Sequence, residues 1–180
     1  MQAHIFAEGS NTTADEHDQP VTEYYEGLFG MVAGLHEELA AVSDAHLHVL
    51  SEEFGVASGE ETVSTIYENG QVPVGRDAML EQAKAGLLDA VTPADVMVIL
   101  LSADVFDETV GAVWDQLVGA AKPESIWCLG AARSSLDGLD FDALEAKECT
   151  VLTYQRVGVA RIGTETRDEL LEAVKQQSAH

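Results

Sequence analysis

Val96-Met97-Val98-Ile99-Leu100-Leu101 is the stretch whose reading decides the fold. It is apolar without alternation, so it reads as a strand covered on both faces. Thr92-Pro93 stops the helical pattern before it, and Ser102-Ala103-Asp104 follows it. Proline lacks the amide hydrogen a helix interior needs, which sets that boundary. A doubly covered strand implies helices on both sides of a mainly parallel sheet.

Outward from this segment, strands and helical patterns alternate. Ala3 to Ala7 reads as the first strand, Ala45 to Leu50 as the second, Ser125 to Leu129 as the fourth and Val151 to Tyr154 as the fifth. Helical spacing joins Tyr25, Leu28, Phe29, Val32, Leu35 and Leu39, in a helix expected from Thr22 to about Val42. It also joins Leu80, Ala83, Leu87, Leu88 and Val91 behind an Asp77 cap, then Val110, Val113, Trp114, Leu117 and Val118. A short helical piece is expected near Phe141 to Ala146, and a last amphipathic helix over Glu165 to Gln176. Glu8 to Gln19 reads as a loop by composition. Val56 to Gly75, with Gly59, Asn69-Gly70 and Pro73, reads as the least regular connection. The 180 residues therefore form one α/β domain, a three-layer Rossmann-like sandwich around a mainly parallel five-stranded sheet.

Charge narrows the partners. Nine basic residues stand against 32 acidic ones, a net charge of −23. The acids are dispersed along a chain that is 46% hydrophobic, so they belong to an acidic surface on a folded body rather than to a tail. Such repulsion is costly in dilute salt and is screened within ~3 Å at 1 M salt. The composition is that of a halophile protein working in molar salt. The same charge weighs against nucleic acid and against anionic membranes as partners. No apolar run approaches the ~20 residues needed to span a bilayer. Met1 to Phe6 does not read as a secretory signal, so the expected location is the cytoplasm. Cys128 and Cys149 form no CxxC pair and read as two reduced, partly buried thiols.

In an open parallel sheet, ligands bind outside the carboxyl ends of the strands, near a switch in strand order. That rule selects candidate residues. Ser10, Asn11, Ser51 and Gly55 are expected to line one wall of a crevice. Ser102, Asp104, Gly130, Arg133 and Ser134 are expected on the other. The Gly130 to Ser135 turn offers backbone amides and hydroxyls to a phosphate or carboxylate, with the Arg133 guanidinium as a charged donor. Glu53 and Asp104 are the candidate general acid and base. Of the other arginines, Arg156 and Arg161 also follow late strands, whereas Arg76 and Arg167 read as surface or helix-start residues. His46 and His48 share a face of the second strand but have no evident third ligand, so no metal site is expected. Neither Ser51 nor Ser102 has a nucleophile-elbow context.

The ordered series Tyr24-Tyr25-Glu26-Gly27-Leu28-Phe29, Val49-Leu50-Ser51-Glu52-Glu53-Phe54-Gly55-Val56, Ile66-Tyr67 and Asp95 to Ser102 resembles the DUF6884 family of uncharacterised proteins. That family is similar to the YaaA-type peroxide-stress proteins and distantly to uracil-DNA-glycosylase-like α/β domains. Ser51, Phe54 and Gly55 match its Leu-Ser-x-x-Tyr/Phe-Gly-Leu/Val motif, and the resemblance covers about the first 100 residues. It implies an α/β sandwich with a strand-end pocket for a nucleobase or nucleotide. Where the family carries Cys-Ser and a lysine after the first strand, Gly9-Ser10 stand here and no lysine occurs before Lys84. Chemistry depending on that lysine is thus not among what the resemblance implies. The expected function is binding or processing of a small anionic or nucleobase-like ligand, with cofactor and reaction left open. The alternative is a non-catalytic protein-interaction or stress-response role.

Overall fold

The computed structural model describes residues 2–8, 29–51, 55–58, 75–101, 103–131, 133–155 and 164–178. In chain order the elements are β1 (Gln2–Glu8), α1 (Phe29–Ala40), β2 (Asp44–Ser51), β3 (Gly55–Ser58), α2 (Arg76–Val91), β4 (Val96–Leu100), α3 (Ala103–Ala120), β5 (Ile126–Ala131), α4 (Arg133–Asp137), α5 (Asp142–Ala146), β6 (Thr150–Gln155) and α6 (Thr164–Ser178).

The strands form one sheet in the order β3-β2-β1-β4-β5-β6. Every pairing from β2 through β6 is parallel, and β3 alone runs antiparallel, against β2. β4 lies inside the sheet and is buried along its whole length, as its unbroken apolar run requires. Its side chains alternate between two cores. Met97 and Ile99 join Phe6, Leu87, Phe106 and Trp127 in a core that also takes residues of α2 and α3. Val98 and Leu100 join Ile5, Leu35, Leu39, Val49, Leu170 and Val174 in a core that also takes residues of α1 and α6. Helices, sheet and helices make the three layers of a Rossmann-like fold.

The sheet has six strands rather than five. The extra one, β3, begins at Gly55 and continues into the stretch from Val56 that reads as irregular. Four residues, Gly-Val-Ala-Ser, carry too little periodic signal to announce a strand. Gly55 has φ +77°, a left-handed conformation that glycine adopts at little cost and that starts the return strand. Two other boundaries move. Asp77 lies in the first turn of α2 instead of capping it; the cap position is Gly75, with no side-chain bond. β5 runs on to Ala131, so Gly130 is a paired strand residue opposite Leu100 and Tyr154, not part of a turn. The helix expected from Thr22 is described from Phe29 onward.

The amino-terminal edge of the sheet is tied by Asp95. Its Oδ2 accepts the Gln2 amide at 2.8 Å, and its Oδ1 accepts Lys122 Nζ at 2.8 Å. Its backbone accepts the Ile126 amide at 2.8 Å and donates to Gln2 O at 2.8 Å. Burial acts to raise this carboxyl, but the Lys122 and Gln2 hydrogen bonds outweigh it and hold it below the usual carboxylate range. One residue, through its side chain and its backbone, thereby ties the starts of β1 and β5 to the residue before β4.

Candidate functional site

Parallel register brings the carboxyl ends of β1, β2, β4, β5 and β6 to one edge. β1 reaches Glu8 opposite Leu50, β4 reaches Leu100 opposite Gly130, and β5 reaches Ala131 opposite Gln155 of β6. The Leu101 amide donates to Gly130 O at 3.3 Å, continuing the pairing past β4. The antiparallel pairing of β3 with β2 adds Gly55, opposite Ser51, to the same edge. Strand order reverses between β1 and β4. The chain goes from β1 outward to β2 and β3, then crosses back to β4 on the other side. This is the topological switch beside which open α/β sheets hold their ligands.

Among the residues expected to form the site, Ser51, Gly55, Asp104, Gly130, Arg133 and Ser134 all fall at this edge. Gly55 and Gly130 are buried, and Asp104 and Ser134 are exposed. Ser51 is the last residue of β2 and Arg133 the first of α4; the side chains of these two lie outside the described residues. Ser10, Asn11, Glu53 and Ser102 lie outside them altogether, as do Arg156 and Arg161.

The start of α2 and the start of α3 meet at the edge. Arg76 Nη2 donates to Glu108 Oε2 at 2.7 Å, and a cavity of about 270 Å³ is bounded by Arg76, Asp104, Asp107 and Glu108. Arg76 is the exposed first residue of α2, a surface and helix-start position as its place in the sequence suggested. Asp107 and Glu108 lie within one helical turn of Asp104 and make this side of the edge anionic. A phosphate placed among these carboxylates meets repulsion; a neutral or donor-rich ring does not.

A second group of titratable side chains lies toward the amino-terminal half of the sheet. His46 and His48 do share a face, and β1 contributes His4 beside them. His4 stacks on His46 at 4.9 Å and on His48 at 5.3 Å, and Phe6 covers His48 at 4.4 Å. His4 Nδ1 and His48 Nε2 are hydrogen-bonded at 3.0 Å, so one ring must donate and the other accept. Burial pushes both imidazoles down, His48 to about 4, and the neighbouring imidazoles add to it. The third ring was not legible from strand two because it comes from a parallel neighbour 42 residues earlier than His46. Stacked rings aim their nitrogen lone pairs in parallel planes rather than at one point. No group of three His, Cys, Asp or Glu among the described residues is placed to hold a metal ion.

Cys128 is buried and free, and burial, with Glu169 nearby, pushes its thiol up to about 12. It is an inert core thiol rather than a nucleophile. Among the described residues no helix is long and apolar enough to cross a membrane.

Fold and edge together define an α/β protein with a Rossmann-like sheet and its strand tips gathered at a switch point. The chain matches no family model, no curated protein and no solved structure.

Proposed function

We propose that this protein binds a small nucleobase- or nucleotide-like ligand at the carboxyl edge of the sheet, beside the switch between β1 and β4. The observation that carries the reading is the unbroken parallel register from β2 to β6, which aligns five strand tips at that switch. The resemblance of the Leu50-Ser51 to Gly55 segment to the DUF6884 motif supports the same edge and the same ligand class. The carboxylates of Asp104, Asp107 and Glu108 favour a base or ribose on the α3 side. Any phosphate falls to Arg133, at the start of α4. Asp104 is the candidate acid or base should the ligand be processed. The acidic surface supports work in a salty cytoplasm.

The test is thermal melting in molar KCl against nucleobases, nucleosides and nucleotides. At least one member raises Tm saturably. Arg133→Ala weakens the effect of phosphorylated members, and Asp104→Asn weakens that of the unphosphorylated ones. No shift with any member, or shifts unchanged in both variants, would overturn the reading.

A further inference from the structure

β6 ends the sheet on one side and pairs only with β5, in parallel register. The Thr150 amide donates to Ser125 O at 3.0 Å, which fixes the phase of that ladder. In a parallel pair, alternate residues of a strand bond to its neighbour, so Thr150, Leu152 and Tyr154 serve β5. Val151, Thr153 and Gln155 turn their amides and carbonyls the other way. Among the described residues no backbone partner meets them there.

Such an edge is a template for another strand, and folded proteins commonly blunt it with charge, proline or brevity. The opposite edge is brief: β3 has four residues and starts at Gly55, with φ +77°. β6 has none of these devices. Thr-Val-Leu-Thr-Tyr-Gln contains no charged residue and no proline. It lies within Cys149 to Thr164, the longest run of the chain without an acid. On a body of net charge −23, this is where a like-charged body meets least repulsion. Val151 packs on the core beneath α2 and α3, and Leu152 on the core beneath α1 and α6, yet both are only half-buried. Each core is thus open at the β6 edge.

We propose that a second copy of this chain occupies this edge, β6 against β6, antiparallel about a two-fold axis, so that two six-stranded sheets become one. The strand is complementary to itself. The two-fold register that pairs all three outward-turned residues sets Thr153 opposite Thr153 of the second copy and Val151 opposite Gln155. Cys149 does not extend the pairing, since its amide already donates to Leu144 O at 3.0 Å. On the other face Leu152 meets Tyr154 of the second copy, and no like charges oppose each other. An uncharged seam favours a second copy over a basic partner, which would seek the carboxylates elsewhere on the surface. β4 and β5 separate this seam from the β1–β4 switch, and the pairing is independent of any ligand held there.

Sedimentation velocity in 2 M KCl, where repulsion between copies is screened, should show a reversible monomer–dimer equilibrium that shifts to dimer with concentration. Thr153→Pro removes an amide that is turned away from β5, a place where an edge strand tolerates proline. The melting temperature should hold while the dissociation constant rises at least about tenfold, the scale of two lost backbone hydrogen bonds. Cysteine placement reads the register. In a Cys149→Ser background, Thr153→Cys brings two thiols into a hydrogen-bonded pair with Cα atoms about 5.5 Å apart, within disulfide reach. Thr150→Cys leaves them about 20 Å apart along the strands. Oxidation should crosslink the first variant and not the second. A monomer at every concentration, a dimer that Thr153→Pro leaves equally tight, or equal crosslinking at both positions would overturn the proposal. If Thr153→Pro melts early, the cysteine pair decides alone. No ligand enters these assays, so their outcome leaves the nucleobase and nucleotide titrations to be judged on their own.

Discussion

At the scale of single residues, the imidazole pair His4 and His48 makes stability depend on pH. Both rings are held neutral in the fold, because burial and adjacent imidazoles disfavour their charged forms. In the unfolded chain they return to the ordinary value near 6.5. Between about 4 and 6.5 the unfolded state therefore binds more protons than the folded one, and stability falls as pH falls. The contribution is fully present above pH 6.5 and is lost as pH drops through about 4. A shift of His48 to about 4 corresponds to at most about 3 kcal/mol, and the partial exposure of the ring leaves less. Protonation of the many surface carboxylates pulls the other way by relieving repulsion, so the wild-type curve alone is not diagnostic. The difference between wild type and His48→Gln isolates the ring. Denaturant unfolding at pH 7 and pH 5, at constant salt, should show wild type losing about 1 kcal/mol more than the variant. Equal losses would remove the imidazole pair as the cause.

At the scale of elements, the end of α3 depends on one lysine. Lys147 Nζ donates to Val118 O at 2.8 Å, Gly119 O at 2.9 Å and Ala121 O at 2.9 Å. These carbonyls belong to the last turn of the helix and the residue after it. They lack intrahelical partners and carry the negative end of the helix dipole. Lys147→Met should therefore cost about 1–2 kcal/mol in denaturant unfolding. Lys84→Met, which removes only the surface pair with Glu81, should cost less than about 0.5 kcal/mol. Equal costs would mean that the carbonyl contacts carry nothing special. Sequence pattern reached some of these elements and not others, for physical reasons. The run Val96 to Leu101 announced a buried central strand because no polar residue interrupts it. Leu80, Leu87 and Val91 announced α2 through their spacing. The Lys147 cap gave no local signal, since its partners lie 26 to 29 residues away. β3 was hidden because four residues, Gly55 to Ser58, are too few to show an alternating pattern. Gly130 was misread because glycine suits both a turn and a tight interior strand position. The position of Ser51, Asp104 and Ser134 at the carboxyl edge follows from one rule, the convergence of parallel strand tips.

At the scale of the whole molecule, the acids are distributed as the composition requires. Every acidic residue whose exposure is described is exposed, except the half-buried Asp95. Arg76 meets Glu108, Lys84 meets Glu81 and Lys122 meets Asp95, while Lys147 is committed to backbone carbonyls. With 32 acids and nine bases, the remaining charge repels itself across a body whose two cores are wholly apolar in their largest members. At 0.1 M salt the screening length is about 10 Å, comparable to the spacing of surface charges, so the folded state carries most of this repulsion. At 1 M it is about 3 Å, and neighbouring carboxylates no longer interact appreciably. Unfolding relieves repulsion by spacing the charges out, so salt should stabilise the fold until screening is complete. Thermal melting should rise by more than about 10 °C between 0.1 M and 2 M KCl, since 1 kcal/mol shifts Tm by about 2–8 °C for domains of 60–250 residues. Tetramethylammonium chloride at equal ionic strength should give most of the same rise if screening is the cause. A melting temperature flat from 0.1 M KCl upward, in an otherwise cooperative transition, would mean that the two cores outweigh the surface repulsion unaided, and that molar salt is not the condition this surface was built for.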